Sequence, residues 1–167
     1  MQKLTLKNYF LAGNPELDIK SLQDWLFVMN LGGRQSRLRN RFLLLLMPRI
    51  KELDDERMKL AEQFSEKDKE GKVIYLQNLP NKKGAPTAKQ IETTDKSKAN
   101  AFKIKNFDGY NKAYINYLNE DLILDVSPET EETINGVKDI ILTTDEKFFG
   151  VKAKRYDEIC ESFEGIK

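Results

Sequence analysis

Histidine is absent from this chain and cysteine occurs once, so the side chains that most often carry out chemistry are nearly missing. Without histidine there is no Ser-His or Cys-His pair, and the commonest zinc ligand is absent as well. Carboxylates cluster at Asp54-Asp55-Glu56 and at Glu129 to Glu132, but consecutive acids on a helix point in different directions and define no metal site. We therefore expect no catalytic residue, no metal and no cofactor, and we predict that the chain is not an enzyme.

Four arginines stand close together where the longest helical pattern begins: Arg34, Arg37, Arg39 and Arg41. A helix N-terminus carries partial positive charge, so each arginine there works against the helix by roughly a few tenths of a kcal/mol. Arg34, Arg37 and Arg41 are three and four residues apart and share one side of the helix. An anionic partner would explain them, whether an acidic protein surface or phosphates. Pairing with the chain's own acidic segment, 120–132, is the alternative.

A second basic stretch follows at 77–100, where the chain has two prolines, several lysines and few apolar residues. We predict that it forms a long mobile loop between the two strands of a hairpin. Lys82 and Lys83 lie in this loop, and with the arginines they would give an electrostatic footprint for nucleic acid. The stretch lacks interleaved aromatic residues and any binding motif, so an ordinary solvated loop is the alternative.

Two apolar stripes at helical spacing predict an antiparallel helical hairpin that turns at Gly32-Gly33. The first stripe consists of Leu22, Trp25, Leu26 and Met29, and the second of Phe42, Leu46, Ile50, Leu53, Leu60 and Phe64. We expect Ser36 to cap the second helix and Pro48 to kink it or restart it. Leu43, Leu44 and Leu45 widen the second stripe, which predicts burial of the early helix on more than one side.

Shorter alternating or β-branched segments predict strands around this hairpin. The expected strands are 3–7, 73–76, 101–105 and 122–126, and also 137–142, where the pattern fits a helix as well. The segment around Glu129 to Glu132 is expected to be a solvated turn. Aromatic spacing predicts a short helix over 107–118 and a terminal helix over 149–163. The fold class is therefore α+β, with the helical hairpin packed on a small, mostly antiparallel sheet, a C-terminal helix, and one domain over 1–167.

The stretch Gly33-Arg34-Gln35-Ser36-Arg37-Leu38-Arg39-Asn40-Arg41-Phe42 resembles a family of small uncharacterised proteins from bacteriophages and prophages of Gram-positive bacteria. In that family a short N-terminal strand and a first helix lead to a Lys/Arg-Ser-Arg segment that opens a leucine-rich helix. An acidic helix end follows, here 62–71, and a terminal helix rich in Tyr, Asp and Glu closes the chain, here 156–164. The resemblance implies phage origin and the host cytoplasm, and it implies no activity and no site.

The function we predict is that of a non-catalytic phage accessory protein, which binds a host defence or regulatory protein or a component of virion assembly. Its partner-binding residues would be Arg34, Arg37, Arg39, Arg41, Lys82 and Lys83. The alternative is a nucleic-acid-binding module built on the same residues. The net charge of +1 gives no global argument for nucleic acid or membrane binding. One cysteine, no signal-peptide core and no apolar run of about 20 residues lead us to expect a cytoplasmic protein with no membrane partner. The resemblance implies that this cytoplasm is that of a bacterial host.

Overall fold

The computed structural model describes residues 2–14, 17–80 and 86–166, and its mixture of helices and antiparallel strands confirms the α+β class. The helices of this part of the chain are α1 (Asn8–Ala12), α2 (Leu22–Val28), α3 (Gly33–Phe64), α4 (Phe107–Leu118), α5 (Glu131–Leu142) and α6 (Val151–Glu164). The strands are β1 (Gln2–Lys7), β2 (Tyr75–Pro80), β3 (Pro86–Thr93), β4 (Ala101–Phe102) and β5 (Asp121–Val126). In place of the single sheet expected, the strands form two antiparallel sheets, β1-β5 and β3-β2-β4. None of the described helices is long and apolar enough to cross a membrane.

The chain divides into two compact units, the first made of 1–53 with 117–167 and the second of 54–116. The single domain expected over 1–167 stays a prediction. In the first unit, β1 pairs with β5 over their whole lengths, with Leu4 opposite Leu124. Helix α6 packs on β1 and on α5. The first unit therefore joins residues from both ends of the sequence around one sheet.

The core of the first unit contains the apolar stripe of α2 and the part of the α3 stripe that runs from Phe42 to Leu53. Its fully buried members include Leu22 and Leu26 from α2 together with Phe42 and Leu46 from α3. Met29 and Ile50 are partly buried against the same core. Strand β1, helix α1, strand β5, helix α5 and helix α6 add further side chains, namely Leu4, Leu6, Phe10, Leu11, Val126, Ile134, Val137, Ile140, Ile141, Ile159 and Phe163. The prediction that the stripes of α2 and α3 form the main core is confirmed.

The connection between α2 and α3 differs from the expected glycine turn. Helix α2 ends because the chain becomes extended at Met29, with φ −63° and ψ 135°, and neither Gly32 nor Gly33 has a positive φ. Helix α3 already begins at Gly33, so Ser36 lies inside it, and the Ser36 amide donates to the Gly32 carbonyl at 2.8 Å. The prediction of a Ser36 cap is therefore wrong.

Helix α3 runs on through Pro48 and is not restarted there. Its early part is buried on one side only, because Leu44 is 69% exposed while Leu43 and Leu45 are partly buried. The expectation of burial on more than one side is wrong. At 3.6 residues per turn, Leu44 points away from Leu46, whose side chain is in the core.

Residues 137–142 form the end of helix α5 and not a strand. The expected solvated turn at 129–132 is also wrong from Glu131 onward, because Glu131 and Glu132 occupy the first turn of the same helix. Carboxylates are favourable at that position, where the helix N-terminus is partly positive. Once the helix begins at Glu131, Ile134, Val137 and Ile141 lie on one face at spacings of three and four, and this face is buried in the core.

In the second unit, β2 is the central strand of a three-stranded sheet. It pairs with β4, with Tyr75 opposite Phe102. This pairing confirms the expected return strand for 101–102, the first two residues of the segment 101–105. Strand β2 also pairs with β3, with Tyr75 opposite Thr93, so the loop expected over 77–100 is wrong for 77–80 and 86–93, which are strands, whereas 94–100 contain no strand. Because hairpin strands pair through backbone hydrogen bonds, a segment with few apolar residues can still form a strand. Lys82 and Lys83 lie outside the described residues.

Candidate protein-binding site

The start of helix α5 lies beside the first turns of α3. Two arginines of α3, Arg34 and Arg41, therefore contact a carboxylate of α5. A Cβ atom at Gly136 would clash with Leu38 Cδ1, so the Leu38 side chain would have to move if a larger residue stood at this position of α5. This packing brings Glu132, in the first turn of α5, to the arginine segment of α3. Glu132 Oε1 lies 3.3 Å from Arg34 Nη2, and its Oε2 lies 3.9 Å from Arg41 Nη1.

Arg34 and Arg41 thus pair with the chain's own acidic segment, which is one of the two explanations that the sequence left open. All three side chains of this cluster are well exposed to solvent. Exposed ion pairs contribute only about 0–1 kcal/mol to stability. A partner's carboxylate could therefore replace Glu132 at small cost, and a partner at Arg34 and Arg41 stays a prediction.

Arg39 is directed away from the other arginines, toward the end of α2. Its Nη1 donates to the carbonyl oxygens of Leu26, Phe27 and Met29 at 3.4, 3.1 and 3.3 Å. Its guanidinium carbon lies 5.7 Å from the centre of the Phe27 ring. The last carbonyls of a helix have no partner within the helix and carry partial negative charge, so a cation there is stabilising. Arg39 therefore links α3 to the end of α2 through hydrogen bonds. Its guanidinium group does not lie with those of Arg34, Arg37 and Arg41.

The exposed face of α3 combines arginines with apolar side chains. Its members are Arg37, Arg41, Leu44, Met47 and Pro48, and we call this set the outer face. Four of them are spaced by four, three and four residues, which places them along one side of a helix. Leu44 is 69% and Met47 58% exposed. Arg37 is exposed and makes no ion pair within the described part of the chain. Sequence reasoning missed this face because it assigned Leu44 to the core.

A cavity of about 310 Å³ adjoins the outer face, between α3 and β5. Its walls are Leu45, Pro48, Arg49, Glu52, Asp121, Leu122, Ile123 and Leu124. Ile123 is a further exposed apolar residue at this position, and β5 pairs with β1 alone among the described strands. The apolar surface of the outer face therefore continues across this cavity to the sheet.

A larger cavity of about 500 Å³ lies elsewhere in the first unit, and we call it the aromatic groove. Phe148 stacks on Tyr156 with ring centres 4.6 Å apart, and the edge of Trp25 meets Phe148 at 5.6 Å. Trp25 Nε1 donates to Glu146 at 2.7 Å. The Tyr156 hydroxyl donates to the Ile141 carbonyl, and burial raises the pKa of Tyr156 to about 12. This tyrosine is therefore a fixed wall of the groove and stays protonated.

The thiol of Cys160 is half-buried beside Tyr156, and burial raises its pKa. A thiol in such a setting is less often a thiolate and is correspondingly unreactive. Within residues 2–14, 17–80 and 86–166, no group of three or more Cys, Asp or Glu side chains is arranged to hold a metal ion. What the described surface offers to a ligand is therefore apolar area, guanidinium groups and two cavities.

No protein-family model, no curated protein and no solved structure matches this chain. The resemblance carried by residues 33–42 stays a prediction for that reason. Any argument about function then rests on the outer face, with its adjoining cavity, and on the aromatic groove.

Proposed function

We propose that this chain is a non-catalytic accessory protein that binds another protein through the outer face of α3. The single observation that carries the proposal is the exposure of Leu44 and Met47 on the face that holds Arg37 and Arg41. Folding of the chain gains nothing from two large apolar side chains in water, and contiguous exposed apolar surface marks interaction sites. Met and Arg are enriched in protein–protein interfaces.

The mixture of charges on this surface favours a protein partner over nucleic acid. Interfaces with nucleic acid are strongly basic, whereas Glu132 lies against Arg34 and Arg41 and Glu52 lines the adjoining cavity. These carboxylates would repel phosphates. The partner expected is a protein surface with an apolar centre and acidic residues around it, since arginines at a rim select for opposite charge.

The biological setting of the proposal comes from the family resemblance alone. A phage or prophage protein in the host cytoplasm would use such a surface on a host defence or regulatory protein, or on a component of virion assembly. In either case the partner is a protein, so the same test of the outer face applies to both.

Placing acids at the two exposed apolar positions should abolish the proposed complex. In Leu44→Asp with Met47→Asp, we expect binding of the partner to weaken at least about tenfold, which corresponds to about 1.4 kcal/mol. Both positions face solvent, so the fold should persist. The measurement is capture of partners from phage-carrying host cells after nuclease treatment, followed by titration with the purified partner. Ile115→Asp is the matched control, because Ile115 is an exposed residue of the second unit. Equal binding by both variants would refute the proposal.

Reversing Arg34, Arg37 and Arg41 to Glu separates the alternatives. With a protein partner, we expect the specific complex to be lost while the melting temperature changes little, because the pairs with Glu132 are exposed. With nucleic acid, affinity for DNA or RNA in the unmodified chain should fall steeply with salt, by about one unit of logarithmic slope per phosphate contacted. If the arginines serve only the fold, the variant should melt at a lower temperature and lose no partner.

A further inference from the structure

We infer that the aromatic groove is a second docking site, which binds a segment of a partner protein carrying an aromatic side chain flanked by carboxylates. The groove uses no residue of the outer face. The inference therefore stands or falls separately from the proposed function. If both hold, the first unit can bind two protein surfaces at once.

The walls of the groove are suited to an inserted ring. Trp25, Phe148 and Tyr156 form a contiguous aromatic cluster, with Trp25 edge-on to Tyr156 at 6.0 Å and Phe148 stacked on Tyr156. Ile19 and Leu22 add aliphatic surface. A volume of about 500 Å³ lies within the range of about 300–1,000 Å³ typical of ligand sites. Aromatic residues gain from edge-to-face and offset stacking beyond the area they bury.

The charges of the groove favour an acidic ligand. Its two carboxylates are already engaged, since Asp18 pairs with Lys152 at 2.6 Å and Glu146 accepts from Trp25 Nε1. Lys152 accordingly holds the pKa of Asp18 below its usual range. Lys20 and Lys147 are exposed at the groove and make no ion pair among the residues described. An incoming carboxylate would find two available ammonium groups there, and complementary charge selects the partner.

Arg155 adds a third cation, deeper in the wall. It packs over the rings of Tyr9 and Phe10, 5.3 and 5.6 Å from their centres. Its Nη2 donates to the carbonyl oxygens of the same two residues at 2.6 and 3.0 Å. Burial lowers the pKa of Arg155, and within the described chain no carboxylate lies at ion-pair distance. Because both bonds use Nη2, Nε and Nη1 are left to donate to a ligand carboxylate.

The surroundings of the groove favour a protein segment over a small molecule. Phe149 lines the groove and is 78% exposed. Leu17 and Val151 are also exposed, and they adjoin the lining residues Asp18 and Lys152 in sequence. A small ligand confined to the groove would leave these apolar side chains in water. A peptide segment would cover them on either side of its aromatic anchor.

The chain contains a single tryptophan, so the intrinsic fluorescence of Trp25 reports directly on the groove. The probe is a short capped peptide with one Phe at its centre and Asp and Glu on both sides. We expect a saturable change in Trp25 emission that weakens as salt rises, because salt screens exposed charges. Replacing the peptide's Phe by Ala, or using Lys20→Glu with Lys147→Glu in the protein, should weaken binding at least about tenfold. Both lysines are exposed, and an unchanged melting temperature would verify that the fold is kept.

Three results would overturn the inference. They are the absence of a saturable change with the acidic peptide, equal binding of the same peptide with lysines in place of its acids, and binding of free phenylacetate as tight as that of the peptide. The last would make the groove a small-molecule site. The outer-face variant Leu44→Asp with Met47→Asp should bind the peptide as the unmodified chain does. Loss of a cellular partner without loss of the peptide therefore concerns the outer face alone.

Discussion

Replacing Leu46 by alanine is expected to lower the free energy of unfolding by about 2–5 kcal/mol, the range for buried leucines that leave a cavity. The Leu46 side chain is 0% exposed and lies in the core with Phe42, whose ring is 5.8 Å from that of Phe163. The lost contacts and the residual cavity both act against the folded state. Chemical denaturation followed by circular dichroism gives the free energy directly.

Leu44→Ala is the matched control, because it makes the same chemical change two residues away on the same helix. Leu44 is exposed, so its truncation should change stability by less than about 0.5 kcal/mol. Similar losses at Leu44 and Leu46 would mean that the helix face is wrongly assigned. The pair also tests the outer face, since a loss at Leu44 alone would show that this residue is part of the core.

The stripe of α3 can be predicted from the sequence because its period is a local property. Phe42, Leu46 and Leu53 repeat at helical spacing, and a helix with that pattern must bury that face. The same reasoning fails for Val137 to Leu142, where a short β-branched run fits a strand and a helix equally well. Glu131 and Glu132 precede this run, and acidic residues in a first turn mark the start of a helix. They are the signal that would have indicated a helix.

The use of the arginines could not be predicted, because it depends on contacts between distant parts of the chain. Arg39 meets the end of α2 because the chain becomes extended at Met29 and α3 begins only a few residues later, at Gly33. Arg34 and Arg41 meet Glu132 where α5 passes the start of α3, with Gly136 against the Leu38 side chain. The sequence indicates the acidic segment as an alternative partner, but it does not indicate which arginine faces which way.

The aromatic groove is also beyond sequence reasoning of this kind. Trp25, Phe148 and Tyr156 come from α2, from the connection between α5 and α6, and from α6 itself. No period links them, and each alone is typical of an ordinary core residue. The pair Phe148-Phe149 in a connecting segment is a weak signal, because a segment between helices has no local need for two large aromatic side chains.

Gly13 holds the turn that separates β1 and α1 from α2, and alanine there is expected to destabilise the first unit. Its φ of +67° and ψ of −178° lie in a region used almost only by glycine, where other residues are strained by about 1–3 kcal/mol. A Cβ atom would also stand 2.9 Å from the Ser21 nitrogen and 3.0 Å from the Ile19 oxygen. Both are backbone atoms, which cannot move aside as a flexible side chain does, so the loss should lie toward the upper end of that range.

Gly33→Ala is the control, because Gly33 begins α3 without a positive φ and a Cβ there meets open space. That variant should be neutral or more stable by up to about 1 kcal/mol, since alanine favours a helix over glycine. Thermal and chemical unfolding of both variants would measure the difference, and equal stabilities would contradict the turn.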